Sequence, residues 1–143
     1  MILRALTLWR PWPASIVAGP KRAENRPWAH QVGFPPGSVI ALHAGAKWDA
    51  AGAAFIHARW PELDMDPAHH PKGVIVGLTE VVRYDRINRD PTEEDPWAFG
   101  PWVWRLGRVV PLLFPVAVRG AQGLWTLPLP VERGLLDVWR GAA

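Results

Sequence analysis

The 143-residue chain contains no cysteine, which removes disulfides, thiolate nucleophiles and cysteine-ligated zinc from consideration. It contains a single tyrosine, so aromatic recognition has to come from other rings. Charged residues are 20% of the chain, and no dense basic or acidic run occurs. No apolar run is long enough to span a bilayer, and the first residues, with Met1-Ile2-Leu3 running directly into an expected strand, do not read as a charged-then-apolar signal peptide. These absences lead us to expect a cytoplasmic protein without a membrane partner.

What is abundant is tryptophan, at 10 residues, together with 16 prolines and 13 glycines. Hydrophobic residues make up 49%, so the chain can bury a core and is globular rather than disordered. We expect one domain over residues 1–143. The net charge of +3 and pI near 10.0 come mainly from arginine, whose planar fork matches phosphate. This mild excess permits a nucleic-acid partner without requiring one. Tryptophan faces serve core packing and base stacking alike.

The chain is organised around residues 6–28, LTLWRPWPASIVAGPKRAENRPW. Ala5 to Trp9 reads as an apolar strand, Pro11 and Pro13 as a turn, and Ala14 to Ala18 as a short helix. Gly19 and Pro20 stop that helix, Gly through a left-handed cap and Pro by its missing N–H. Lys21, Glu24 and Arg26 follow, flanked by Trp12 and Trp28. If residues 22–26 are extended, Glu24 and Arg26 share a face. Lys21 lies at the bend, free to point into a cleft. Such charges often form a solvated ion-pair surface, but the surrounding tryptophans favour a half-buried pocket.

Farther along, Ser38 to Ala44 reads as a strand with Ile40 and Leu42 on one face and Val39, Ala41 and His43 on the other. His43 is as readily a satisfied buried histidine as a reactive one. Lys47 falls on the following turn. Asp49 is placed to cap a helix over residues 50–59, with Phe55 and Ile56 inward. The loop 61–72 holds Asp64, Asp66, His69 and His70, whose spacing does not suit one ion, so no metal is expected. Gly73 to Tyr84 is a long strand in which Glu80 breaks the apolar face, making it a candidate partner for Lys21. Residues 85–101 read as a polar, lid-like loop. Strands follow at 101–106, 109–118 and 124–127. Val131, Leu135, Val138 and Trp139 trace one face of a closing helix. Short strands with dense turn signals predict an α+β fold, a small β-barrel with peripheral helices.

The sequence resembles the ASCH domain family of the PUA-like superfamily. Three segments carry the resemblance. The first is Trp9-Arg10-Pro11-Trp12 followed by Gly19-Pro20-Lys21-Arg22-Ala23-Glu24-Asn25-Arg26. The second is Gly37-Ser38-Val39-Ile40-Ala41-Leu42-His43-Ala44-Gly45. The third comprises Gly73 to Val82 and the closing segments Trp102 to Leu106 and Arg119 to Trp125. The resemblance implies a PUA-like β-barrel with a cleft beside its first helix. It also implies a ligand such as RNA, single-stranded nucleic acid or a modified nucleoside. In that reading Trp9, Trp12, Lys21, Arg26, Trp28, His43 and Lys47 contribute to binding, and no cofactor is required.

Some members of that family are amidohydrolases acting on acetylated cytidine, through a Lys, a Thr three residues later, and a Glu, and others are ribonucleases. This chain has Lys21 and a candidate Glu80, but Glu24 stands where the Thr would be. The alternative function is therefore a metal-independent hydrolase using Lys21, Glu24 and Glu80, with water as nucleophile. A structural or protein-interaction module would need only the tryptophans and prolines, and leaves the Lys21/Glu24/Arg26 cluster unexplained.

Overall fold

The computed structural model describes residues 2–29 and 34–142. Residues 29–37, AHQVGFPPG, read from sequence as a Gly/Pro-rich loop, and 30–33 of them lie outside the described residues. The fold is mixed α+β, with one six-stranded sheet and three α-helices. In chain order these are β1 (Arg4–Arg10), α1 (Trp12–Val17), β2 (Ala23–Arg26), β3 (Ser38–Trp48), α2 (Ala50–Arg59), β4 (Val74–Arg86), β5 (Trp102–Ala117), β6 (Leu124–Thr126) and α3 (Leu129–Gly141). The strand order is β2-β5-β4-β3-β1-β6. β1 and β3 run parallel, and the other ladders are antiparallel. Among the described residues β2 and β6 do not pair, so the ladder does not close the barrel expected from the sequence.

Period-two alternation divides the core between the two sides of the sheet. Leu3, Ala5, Val39 and Ala41 pack with Trp125 and the inner face of α3. Leu6, Leu8, Ile40 and Leu42 pack with Ile16 and Trp104 on the other side. This is the alternation read for β3. In α3, Leu135, Leu136 and Trp139 are buried, but Val138 is exposed, contrary to expectation. An i, i+4, i+8 stripe from Val131 to Trp139 leaves position 138 off the inner face.

Several boundaries differ from the sequence reading. The first helix begins at Trp12, after a cis Arg10–Pro11 peptide, with Pro13 in its first turn where a missing N–H costs nothing. Gly19 does not take the left-handed cap. It is needed for space, because a Cβ there would lie 2.8 Å from the Ser15 carbonyl oxygen. The Arg22 guanidinium covers the end of α1, donating to the Ile16, Gly19 and Lys21 carbonyls at 3.0, 3.2 and 2.8 Å. Strand β3 continues to Trp48, so Gly45 and Lys47 lie within a strand rather than on a turn. The two strands expected at 101–106 and 109–118 are one, β5. Its prolines are accommodated where the register jumps, with Val116 opposite Ile75 and Pro111 opposite Gly77.

The segment between β4 and β5 is held by ion pairs. Arg105 of β5 donates to Asp95 at 2.6 and 2.8 Å and to Asp85 at 2.9 Å, and Arg89 donates to Asp95 at 2.9 Å. Trp97 and Ala98 then plug the space beside Ile56 and Val103. This segment is anchored at Asp95 rather than free along its length. No helix among the described residues is long and apolar enough to cross a membrane.

Candidate functional site

The end of β1, helix α1, strand β2 and the start of α2 enclose a cleft of about 810 Å³, within the range of small-molecule sites. Trp9, Trp12 and Trp28 line it, as do Lys21, Glu24 and Arg26. The sequence placed these six together, and the fold brings them to one site. Asp49, Gly52, Phe55 and Phe99 also line it, as do Ala121, Gln122 and Gly123.

The charged cluster is compact. Lys21 Nζ donates to Glu24 Oε1 at 2.9 Å and to the Ala23 carbonyl at 2.5 Å. The ammonium also sits 5.4 Å from the centroid of the Trp12 ring. Lys21 is 2% exposed, so it is a buried ion-pair member rather than a free cation reaching into the cleft. Arg26 Nη1 donates to the other oxygen, Glu24 Oε2, at 3.2 Å. The two share a face of β2, as the extended reading required. Arg26 Nε is buried without a hydrogen-bond partner among the described residues. The guanidinium carbon lies 5.7 Å from the Trp28 ring centroid.

The rings are held as firmly as the charges. Trp12 Nε1 donates to Asp49 Oδ2 at 2.8 Å, while Asp49 Oδ1 accepts from the Gly52 N–H at 2.8 Å and caps α2. The expected helix cap thus also fixes a cleft wall. Trp12 packs edge-on to Trp97, and Trp28 edge-on to Trp104. Asn25 locks the segment carrying Phe99. Its Oδ1 accepts from the Phe99 and Gly100 N–H groups at 2.8 and 2.9 Å, and its Nδ2 donates to the Trp97 carbonyl at 2.9 Å. Phe99 remains 45% exposed and lines the cleft.

Three expected members stand elsewhere. Glu80 does not line the cleft. Its Oε1 accepts from the Arg108 N–H at 3.0 Å, in the irregular stretch where β4 shifts register against β5. It therefore satisfies a backbone donor of β5, and the partner of Lys21 is Glu24. Lys47 pairs with Trp9, its ammonium 4.9 Å from the ring centroid, and Trp9 is the wall residue that links it to the cleft. His43 sits behind Thr7, a cleft-lining residue, rather than in the wall itself.

Thr7 is the residue that sequence reasoning passed over, because one threonine in an apolar strand carries no pattern. Trp125 Nε1 donates to Thr7 Oγ1 at 3.0 Å. His43 Nε2 lies 2.8 Å from the Val118 carbonyl, which can only accept, so Nε2 carries the proton. Nδ1 is then an acceptor, and the Thr7 hydroxyl donates to it at 3.0 Å. Burial lowers the pKa of His43 below the ordinary imidazole value, partly offset by the bond to Val118.

The loop histidines lie apart from the cleft, His69 exposed and His70 buried. His69 Nδ1 lies 2.6 Å from Asp64 Oδ2, and His70 Nε2 donates to the Asp64 carbonyl at 2.7 Å. Among the described residues no group of three or more histidines and carboxylates is arranged to hold a metal ion. The chain matches no protein-family model, and no curated protein matches it.

Proposed function

We propose that this chain is a binding module of the ASCH, PUA-like type, taking a base of RNA, of single-stranded nucleic acid or of a modified nucleoside into the cleft between α1 and β2. The observation that carries the reading is the joining of tryptophan walls to the Lys21–Glu24–Arg26 cluster at one cavity. A base has two apolar faces and a polar edge, and its backbone carries an anion. Flat rings beside an arginine complement both parts. The partly exposed Arg26 guanidinium lines the cleft and supplies donors for a phosphate or base oxygen. A cytoplasmic setting and the PUA-like barrel belong to the same proposal.

The binding reading is favoured over a hydrolase built on Lys21 and Glu80. Glu80 is engaged with β5, and the Lys21 ammonium already donates to Glu24 and Ala23. Fluorescence polarisation with short RNA and single-stranded DNA, together with quenching of tryptophan emission by nucleosides, tests the proposal. The expected result is saturable binding that weakens when Trp28 is replaced by Ala. Stacking contributes about 1–3 kcal/mol per base. Absence of binding by every RNA, DNA and nucleoside probe at low salt would overturn it.

A further inference from the structure

The arginines where β4 leaves β5 fall into two sets. Arg83 pairs with Asp85, Arg89 with Asp95, and Arg105 with both, so these cations are neutralised within the chain. Arg86 is exposed, and among the described residues its guanidinium makes no ion pair or hydrogen bond. Alternation explains the division. Asp85 and Arg86 are successive residues of β4, so their side chains project from opposite faces of the sheet.

What Arg86 meets instead is an aromatic ring and a second arginine. Trp102 of β5 stands opposite Arg86 of β4 on one side and opposite Arg26 of β2 on the other. Directly opposed residues of antiparallel strands project from the same face, so Arg26, Trp102 and Arg86 form one row. Two strand spacings set the backbones of the two arginines roughly 10 Å apart. The Arg86 guanidinium carbon lies 5.7 Å from the centroid of the Trp102 ring, and Trp102 is half-buried. Arg26 lines the cleft, so the row begins there and leads away from it across the sheet. The row is also positive. Lys21 and Arg26 share the one carboxylate of Glu24, and Arg86 has none.

We propose that the Arg26–Trp102–Arg86 row is a second nucleotide subsite, so that the ligand is a single strand of nucleic acid rather than a free nucleoside. The inference rests on the reading in which the cleft takes a base. The strand leaves the cleft at Arg26, passes over Trp102 and reaches Arg86. A phosphate meets each arginine, and the nucleotide between them lies against the ring. Guanidinium forks match phosphate oxygens, and a flat ring accepts the face of any base, so the row holds a strand without selecting its sequence. The phosphodiester backbone is common to RNA and DNA, and the test carries an arm for each.

The test measures binding of the four nucleoside 5′-monophosphates and of the tetranucleotides ACGU (RNA) and ACGT (DNA), by quenching of tryptophan emission across a salt series. Wild-type protein should bind a tetranucleotide roughly tenfold tighter than the best monophosphate, as one added charge-assisted contact predicts. Arg86→Gln should remove most of that advantage. It should also make the tetranucleotide slope of log K against log[salt] shallower by about 0.7, the value for one phosphate. Arg86→Lys, which keeps the charge, should retain the wild-type slope. Arg140→Gln removes an equal charge from the exposed face of α3 and should change neither affinity nor slope. Thermal melts of each variant show that the fold is kept. Monophosphate binding without a tetranucleotide advantage, or an equal effect of Arg86→Gln and Arg140→Gln, would overturn the second subsite and leave the cleft reading standing. Failure of every probe to bind would overturn the cleft reading, and the second subsite with it.

Discussion

Lys21 Nζ and Glu24 Oε1 lie 2.9 Å apart, and both side chains are withdrawn from solvent at the base of the cleft. A buried pair of this kind stands or falls together. Removing one partner leaves the other charge in a poor solvent. The arrangement makes the pair a structural floor on which Arg26 is positioned through the second oxygen of Glu24.

Replacing Lys21 with Met preserves the stem and deletes the charge. It should destabilise the fold by about 3–5 kcal/mol, the usual cost of breaking a buried ion pair. This differs from the sequence-level picture of Lys21 as a side chain free to point into the cleft. Urea denaturation of the two proteins measures it. A midpoint unchanged within error would show that the pair contributes nothing.

Gly52 leaves room for a cleft wall. A Cβ there would lie 2.5 Å from Trp12 Cζ2 and 2.7 Å from Asp49 Oδ2. Gly52→Ala should therefore displace the Trp12 ring and strain the α2 cap, with a loss of about 1–3 kcal/mol. Near-ultraviolet circular dichroism reports the ring and thermal melts report the loss. An unchanged tryptophan spectrum would mean that Trp12 is not held as described.

Arg26 is the cation expected to meet phosphate. Arg26→Ala should weaken binding of single-stranded RNA and make the slope of log K against log[salt] shallower by about 0.7, the value for one phosphate left unneutralised. Polarisation titrations across a salt series give both quantities. A weaker complex with the wild-type slope would assign Arg26 to the base rather than the phosphate.

The Asp95–Arg105 pair should govern acid stability. Hydrogen bonds from Arg105 lower the Asp95 pKa to about 2, against the opposing effect of burial. The folded value is depressed, so the stabilisation is present above the unfolded value near 4 and is lost as pH falls toward 2. Asp95→Asn should lower stability at neutral pH and flatten its pH dependence between about 4 and 2. Equal acid slopes for the two proteins would exclude Asp95 as the responsible group.

Much of the fold was legible in the chain itself. Alternation named the two faces of β3, Asp49 announced the cap of α2, and the proximity in sequence of Trp12, Lys21, Glu24, Arg26 and Trp28 marked one wall of the cleft. These are short-range features, set by the side-chain period of a strand, the orphan N–H groups of a helix start and the reach of a few residues. Tertiary structure decided the rest. Whether the sheet closes depends on β2 and β6, which lie far apart in the chain and carry no pairing signal. Glu80 looked like a partner for Lys21, because a lone carboxylate on an apolar strand needs compensation. The register shift between β4 and β5 supplied a backbone N–H instead. Thr7 acquired its meaning only when His43, Val118 and Trp125 converged on it from three other parts of the chain. Residue types and local periodicity are written in the sequence. Which donor meets which acceptor across the sheet is fixed by packing, because each buried polar group takes the partner that the completed fold brings within about 3 Å.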